Sequence, residues 1–168
     1  MIKSLFAILA FTIAFTTAGY SQDGFDEWNR NYKEVNLIKI LQFERKYADS
    51  IEMKSGASAY YTRTDKYRFN ATFLGEKRKI DPQVLRSMKN VFKLFSGSST
   101  QLDGLIDNEY LFQIGETQFW APIQKQLEKS FNKEIKKGKE THLFCLFLNE
   151  HSSNGLFNTL LISEFKKE

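Results

Sequence analysis

Lys66-Tyr67-Arg68-Phe69-Asn70-Ala71-Thr72-Phe73-Leu74 decides the fold class. Tyr67, Phe69, Ala71 and Phe73 alternate with Arg68, Asn70 and Thr72, which is the period of a strand with one buried face. Gly75 closes that run, and residues 58–63 read as its partner strand across Thr64-Asp65. Upstream, residues 31–50 contain no Gly or Pro. There Val35, Leu37, Ile38, Leu41 and Ala48 recur, with Ile51, near helical spacing. Downstream, Asp81-Pro82 opens a second helix with a capping carboxylate followed by Pro at the first helical position. Val84, Leu85, Met88, Val91, Phe92 and Phe95 form its apolar stripe.

The rest of the chain repeats the theme. Residues 110–114 and 117–120 read as a hairpin around Gly115-Glu116. A third helix is expected over 122–137, opened by Pro122 and closed by Gly138. Ala121 stands where its capping side chain belongs, and Gln124 offers half a capping box. Strands follow over 141–148 and 156–165. In the first, Leu143, Cys145 and Phe147 fill one face and Phe144, Leu146 and Leu148 the other, so both faces should be covered. The expectation is an α+β fold: a mainly antiparallel sheet of about six strands packed against three helices, in the order helix-strand-strand three times. Phe73, Met88, Phe92, Phe131, Phe144 and Leu146 are its expected core.

Before this domain comes a segment with a different purpose. Lys3 precedes an apolar run from Leu5 to Phe15, followed by small residues up to Ser21. That is the layout of a secretory signal peptide, and the run falls short of the roughly 20 apolar residues that span a bilayer. Cleavage is expected after Ser21, leaving a loose polar segment over 22–30, with Phe25 and Trp28 as anchors, and a single domain over 31–168. The expected destination is a bacterial periplasm or the exterior.

Composition narrows the chemistry. The 168 residues are 42% hydrophobic and 26% charged, ordinary proportions for a globular chain. One Cys excludes an internal disulfide and a Cys-based zinc site, and two His argue against a multi-histidine metal centre. No Gly-rich phosphate loop, Gly-x-Ser-x-Gly elbow or His-Glu-x-x-His occurs. No cofactor is expected.

The remaining candidates are few. Cys145 is the single thiol, but strand alternation sets it on the opposite face from His142, so it reads as a buried structural residue. Glu150-His151 is the one adjacent acid and imidazole, placed by its polar neighbours in a solvated turn. Asp103, Asp107 and Glu109 are hard oxygen donors without the spacing of a calcium loop. Asn70-Ala71-Thr72 matches a glycosylation acceptor inside a strand, where it is discounted. Lys125, Lys129, Lys133 and Lys136, extended by Lys137, fall on one face of the third expected helix, with Lys77-Arg78-Lys79 adding to the field. They form a candidate surface for an anionic partner, such as an envelope component or another exported protein. The formal charge of +4, or +3 once Lys3 is removed, is a weak footprint for nucleic acid. The reading favours a non-catalytic exported binding or interaction module. The rival is a small hydrolase-like enzyme whose acids meet only in the fold, with Glu109, Glu150 and His151 as candidates.

Overall fold

β2 (Tyr61–Lys79) is a single strand of 19 residues and the spine of the protein. A computed structural model describes residues 22–55 and 60–167. The expected signal peptide and the start of the expected strand at 58–59 lie outside the described residues. Where the sequence suggests a turn at Thr64-Asp65, the strand runs straight through. Thr64 pairs with Leu148 and Asp65 with Phe147 in the ladder to β5 (Glu140–Ser152). Neither residue is a glycine that would supply the positive φ of a tight hairpin. The Asp65 carboxylate is engaged by Lys33 at 2.8 Å.

β2 serves two neighbours in turn. From Tyr61 to Thr72 it pairs antiparallel with β5. From Thr72 to Lys79 it pairs antiparallel with β3 (Asn108–Ile114), with a register shift between Phe73 and Lys77. Gly75 sits in that shift with φ +83°, a conformation that L side chains rarely adopt. The stem of Lys137 fills the space where a β-carbon would stand, 2.8 Å away. The hairpin at Gly115-Glu116 joins β3 to β4 (Thr117–Pro122), with Ile114 opposite Thr117. β5 turns through Ser153-Asn154 into β6 (Gly155–Lys167). The order is β4-β3-β2-β5-β6, and the two-residue β1 (Lys33–Glu34) lies parallel to β2. Just past β4, Ile123 bridges to Ile162 on β6, so the edges meet and the sheet wraps its own core.

The helices depart from the expected count and order. Among the described residues four form: α1 (Gln22–Asn31), α2 (Leu37–Ser55), α3 (Pro82–Ser96) and α4 (Glu128–Glu134), with 3-10 turns at Thr100–Leu102 and Lys125–Leu127. The stretch expected to be loose is α1. Its Phe25 and Trp28 do act as anchors, lying 6.1 and 5.8 Å from the ring of Phe144. α2 begins at Leu37, after β1, rather than at residue 31. The third expected helix is much shorter than its lysine spacing suggested. Pro122 still belongs to β4, opposite Glu109, and Gln124 provides no side-chain cap. At the other end Ile135 leaves the helix in extended conformation to bury itself in the core. Gly138, expected as the cap, instead donates its N–H to the Phe73 carbonyl at 2.7 Å. The Asp81 cap forms as expected, accepting from Gln83 N at 2.7 Å.

Both faces of β5 are covered. Inside the curl, Leu143, Cys145 and Phe147 pack with Tyr67, Phe69 and Phe73, and Phe131 of α4 closes that core. Outside, Leu148 and Leu161 pack against Met88 and Val91 of α3. Of the expected core, Phe73, Met88, Phe131 and Phe144 are buried, whereas Phe92 and Leu146 are half-buried. Phe95 overshoots the sheet and is 59% exposed, beside Leu94 at 58%.

Candidate functional site

Each residue singled out in the sequence acquires a defined neighbourhood. Cys145 is fully buried, and burial pushes its thiol well above the ordinary range. The partner of the His142 Nδ1 is Asn70 Oδ1 on β2. Asn70 also donates to Glu140 at 2.8 Å, which ties the acceptor-like triplet into the sheet. The three carboxylates near β3 go to three separate cations: Asp103 to Lys89 at 2.6 Å, Asp107 to Lys125 at 2.7 Å, and Glu109 to Arg78. Burial raises the Glu109 carboxyl, and Arg78 offsets part of that rise. Among the described residues, no group of three or more His, Cys, Asp or Glu is placed to hold a metal ion.

Glu150 and His151 are not in a solvated turn. β5 continues to Ser152, and the two residues are 3% and 2% exposed. The Ser153-Asn154 turn is tighter than the polar run suggested, because Ser152 pairs directly with Gly155. The two side chains separate by strand alternation. Glu150 accepts from Asn90 of α3 at 2.9 Å, while His151 Nε2 meets Glu52 of α2 at 2.9 Å.

His151 thereby joins a polar cluster centred on Tyr61, its partner across the β2–β5 ladder. Their rings are 5.2 Å apart, and Tyr47 of α2 packs edge-on against Tyr61 at 5.0 Å. Two positions along, Arg63 faces Asn149; Arg63 reaches Glu44 of α2 at 3.0 Å and lies over the rings of Phe43 and Tyr47. Asn149 donates to Asn158 at 2.7 Å. Burial lifts the Glu44 carboxyl above its ordinary range despite Arg63, and lifts the Tyr61 phenol to about 12. Four buried atoms here have no hydrogen-bond partner among the described residues: Glu44 Oε2, Tyr61 OH, Asn149 Oδ1 and His151 Nδ1. Asn149 lies close enough to the phenol to influence it, yet no bond of proper geometry forms. An unsatisfied buried polar group costs roughly 1–3 kcal/mol, so four on neighbouring side chains mark a place held at the expense of stability. Of this cluster, sequence reading singled out only His151. The signal for Asn149 was the inward series of β5, in which Asn149 and His151 follow Leu143, Cys145 and Phe147 at the same period of two.

A separate concavity lies between α3 and the outer face of β5 and β6. Phe92, Leu102, Leu105, Leu146 and Leu161 supply its apolar lining, and Gln101, Gln124 and Gln126 polar groups. Its free volume is about 60 Å³. That is less than half of the roughly 150 Å³ that accommodates benzene in an engineered protein core. A second, open groove on the outer side of α3 is lined by Arg86, Lys89 and Lys93.

The five candidate lysines do not share one helix. Lys125 is in a 3-10 turn and bound to Asp107; Lys129 and Lys133 are on α4; Lys136 and Lys137 follow it. Lys136 donates to the Asn132 carbonyl at 3.1 Å, and the Lys137 stem lies against Gly75. Lys77 of the upstream basic run is bound to Glu128 at 3.0 Å. Lys129 and Lys133 are exposed. Among the described residues, no helix is long and apolar enough to cross a membrane.

Set against known proteins, the chain matches no family and no curated sequence.

Proposed function

We propose that this protein is an exported, non-catalytic interaction module that grips a partner protein by a single apolar side chain seated in the pocket beside α3. The size of that pocket carries the reading. Sites for small molecules usually occupy about 300–1,000 Å³, whereas this one offers about 60 Å³ within an apolar lining. That suits one branched side chain better than a free ligand. Leu94 and Phe95, exposed at the end of α3, extend the apolar surface beyond the pocket. Arg86 and Lys93 on the outer side of the same helix, and the exposed Lys129 and Lys133 on α4, favour a partner that carries acidic residues. The single Lys3 ahead of the apolar run from Leu5 to Phe15 supports export.

The enzyme reading draws its support from the His151–Glu52 pair beside Tyr61 and Glu44. None of those groups lines either concavity on α3, and general acid–base chemistry needs its group within reach of a bound substrate.

The test uses a displayed peptide panel with one Leu, Ile, Met or Phe between acidic residues. Bound peptides should shift the NMR signals of Phe92, Leu146 and Leu161, and Leu105→Trp, which fills the pocket from its wall, should abolish binding. Peptides that bind without moving those signals, or that bind the Trp variant unchanged, would overturn the proposal.

A further inference from the structure

The pocket on α3 leaves the Tyr61 cluster unexplained, and the chemistry of that cluster points to a different ligand. The inner face of the sheet changes character along β5, from Leu143, Cys145 and Phe147 to Asn149 and His151. α2 changes at the same level. Its first turns supply Leu37, Ile40 and Leu41 to the main core, while further along it buries Glu44 and Ala48 and reaches His151 with the half-exposed Glu52. Beyond Leu41, none of the described side chains of α2 joins that core. Two layers that meet through polar groups have been matched to each other over this end of the sheet.

Three of the polar side chains are held by one end and offer the other. Glu44 is fixed through Oε1 to Arg63 and leaves Oε2; Asn149 is fixed through Nδ2 to Asn158 and leaves Oδ1; His151 is fixed through Nε2 to Glu52 and leaves Nδ1. With Nε2 donating to a carboxylate, a neutral imidazole presents Nδ1 as an acceptor. Tyr61 adds a hydroxyl that can donate or accept. The open capacity is therefore three acceptors and one hydroxyl. Two carboxylates disfavour an anion, and the Arg63 guanidinium, 3.0 Å from Glu44, disfavours a compact cation. What remains is a neutral ligand carrying several hydroxyl groups. At the rim stand the partly exposed rings of Phe43 and Tyr47, stacked on each other beneath the Arg63 guanidinium.

We infer that the polar end of the sheet beneath α2 is a binding site for a neutral polyhydroxyl ligand, a sugar, admitted when the half of α2 from Glu44 onward lifts. Among the described side chains of that half, the contacts to be released include the Glu44–Arg63 and Glu52–His151 pairs, the Tyr47–Tyr61 ring contact, the Arg63 guanidinium over Phe43 and Tyr47, and buried Ala48. This site is independent of the pocket on α3.

The experiment titrates the isotopically labelled protein with glucose, galactose, mannose and N-acetylglucosamine, and with the corresponding tetrasaccharides. At least one probe should shift the His151 ring and Asn149 side-chain amide signals saturably and change amide exchange over residues 44–52. Tyr61→Phe should weaken that binding about tenfold, the loss of one hydrogen bond. A monosaccharide binding as tightly as its tetrasaccharide marks a free sugar as the ligand, and tighter tetrasaccharide binding marks the end of a glycan. If no probe moves the His151 and Asn149 signals of the unaltered protein, or if shifts occur equally in Tyr61→Phe, the cluster is an internal hydrated site and the inference fails.

Discussion

Tyr61 and His151 stand opposite each other in the β2–β5 ladder, 5.2 Å between ring centres, and each presents a buried polar atom without a hydrogen-bond partner among the described residues. Cross-strand pairs usually contribute to the stability of a sheet. This one combines favourable ring contact with two desolvated and unsatisfied groups, so its polar atoms and its rings act in opposite directions.

Tyr61→Phe separates the two effects. The ring contacts to Tyr47 and His151 remain, while the unsatisfied hydroxyl goes. Removing a desolvated group that makes no bond should raise stability by about 1 kcal/mol. Urea unfolding of the ligand-free protein measures it. A loss of similar size would mean that the hydroxyl is bonded within the fold.

Acid and base act on different carboxylates. Burial raises the pKa of Glu44 and Glu109 above 4.5 despite Arg63 and Arg78. The stability associated with their protonated forms is complete below 4.5 and is lost as pH rises through their folded values. Glu128 behaves oppositely. Burial pushes it up, but bonds from Asn108 and Lys77 outweigh that, so its contribution is lost as pH falls below the ordinary carboxylate range. Unfolding curves measured across pH 4 to 8 in steps, an interval of roughly four decades around these groups, should show Glu44→Gln with a shallower decline toward neutral pH than the unaltered protein. An identical decline would show that Glu44 does not titrate in this window.

The fold was legible where side-chain period and turn chemistry agreed. The alternation in β2, the Asp81-Pro82 helix start and the Gly115 hairpin all formed as their residues require. Misreadings arose where local cues competed with tertiary contacts. The lysine spacing after Pro122 mimicked a long helix, but the burial of Ile123 and Ile135 confined α4 to Glu128–Glu134. α1 has few apolar residues, and its helix rests on Phe25 and Trp28 meeting Phe144 more than a hundred positions away. The Tyr61 cluster draws on α2, β2, β5 and β6. Its polar residues are individually ordinary in sequence, and only strand register and the seating of α2 bring them together.

Phe131 is the test of the inner core. It is fully buried and meets Phe73, Tyr110 and Phe165 at 5.3, 5.0 and 5.1 Å. Phe131→Ala should destabilise by roughly 3–5 kcal/mol, through lost burial and the cavity left among rigid rings. Chemical denaturation reads the change. A loss below about 1 kcal/mol would place Phe131 at a tolerant surface position.

The lysines divide into two classes that one set of substitutions can distinguish. Lys125 is bound to Asp107 and the Lys137 stem lies against Gly75, whereas Lys129 and Lys133 are exposed on α4. Changing Lys129 and Lys133 together to Gln should leave stability within roughly ±0.5 kcal/mol, as is usual for surface positions. The same double change should weaken binding of the acidic peptides selected on the pocket, and the effect should fade as salt rises, because exposed charges are screened beyond about 8 Å at physiological ionic strength. Lys125→Gln makes the control. It removes the cation that holds the Asp107 carboxyl below its ordinary range, so Asp107 should titrate at higher pH in that variant. Equal peptide affinity for the double variant and the unaltered protein at low and at high salt would reduce the α4 lysines to a solvated face.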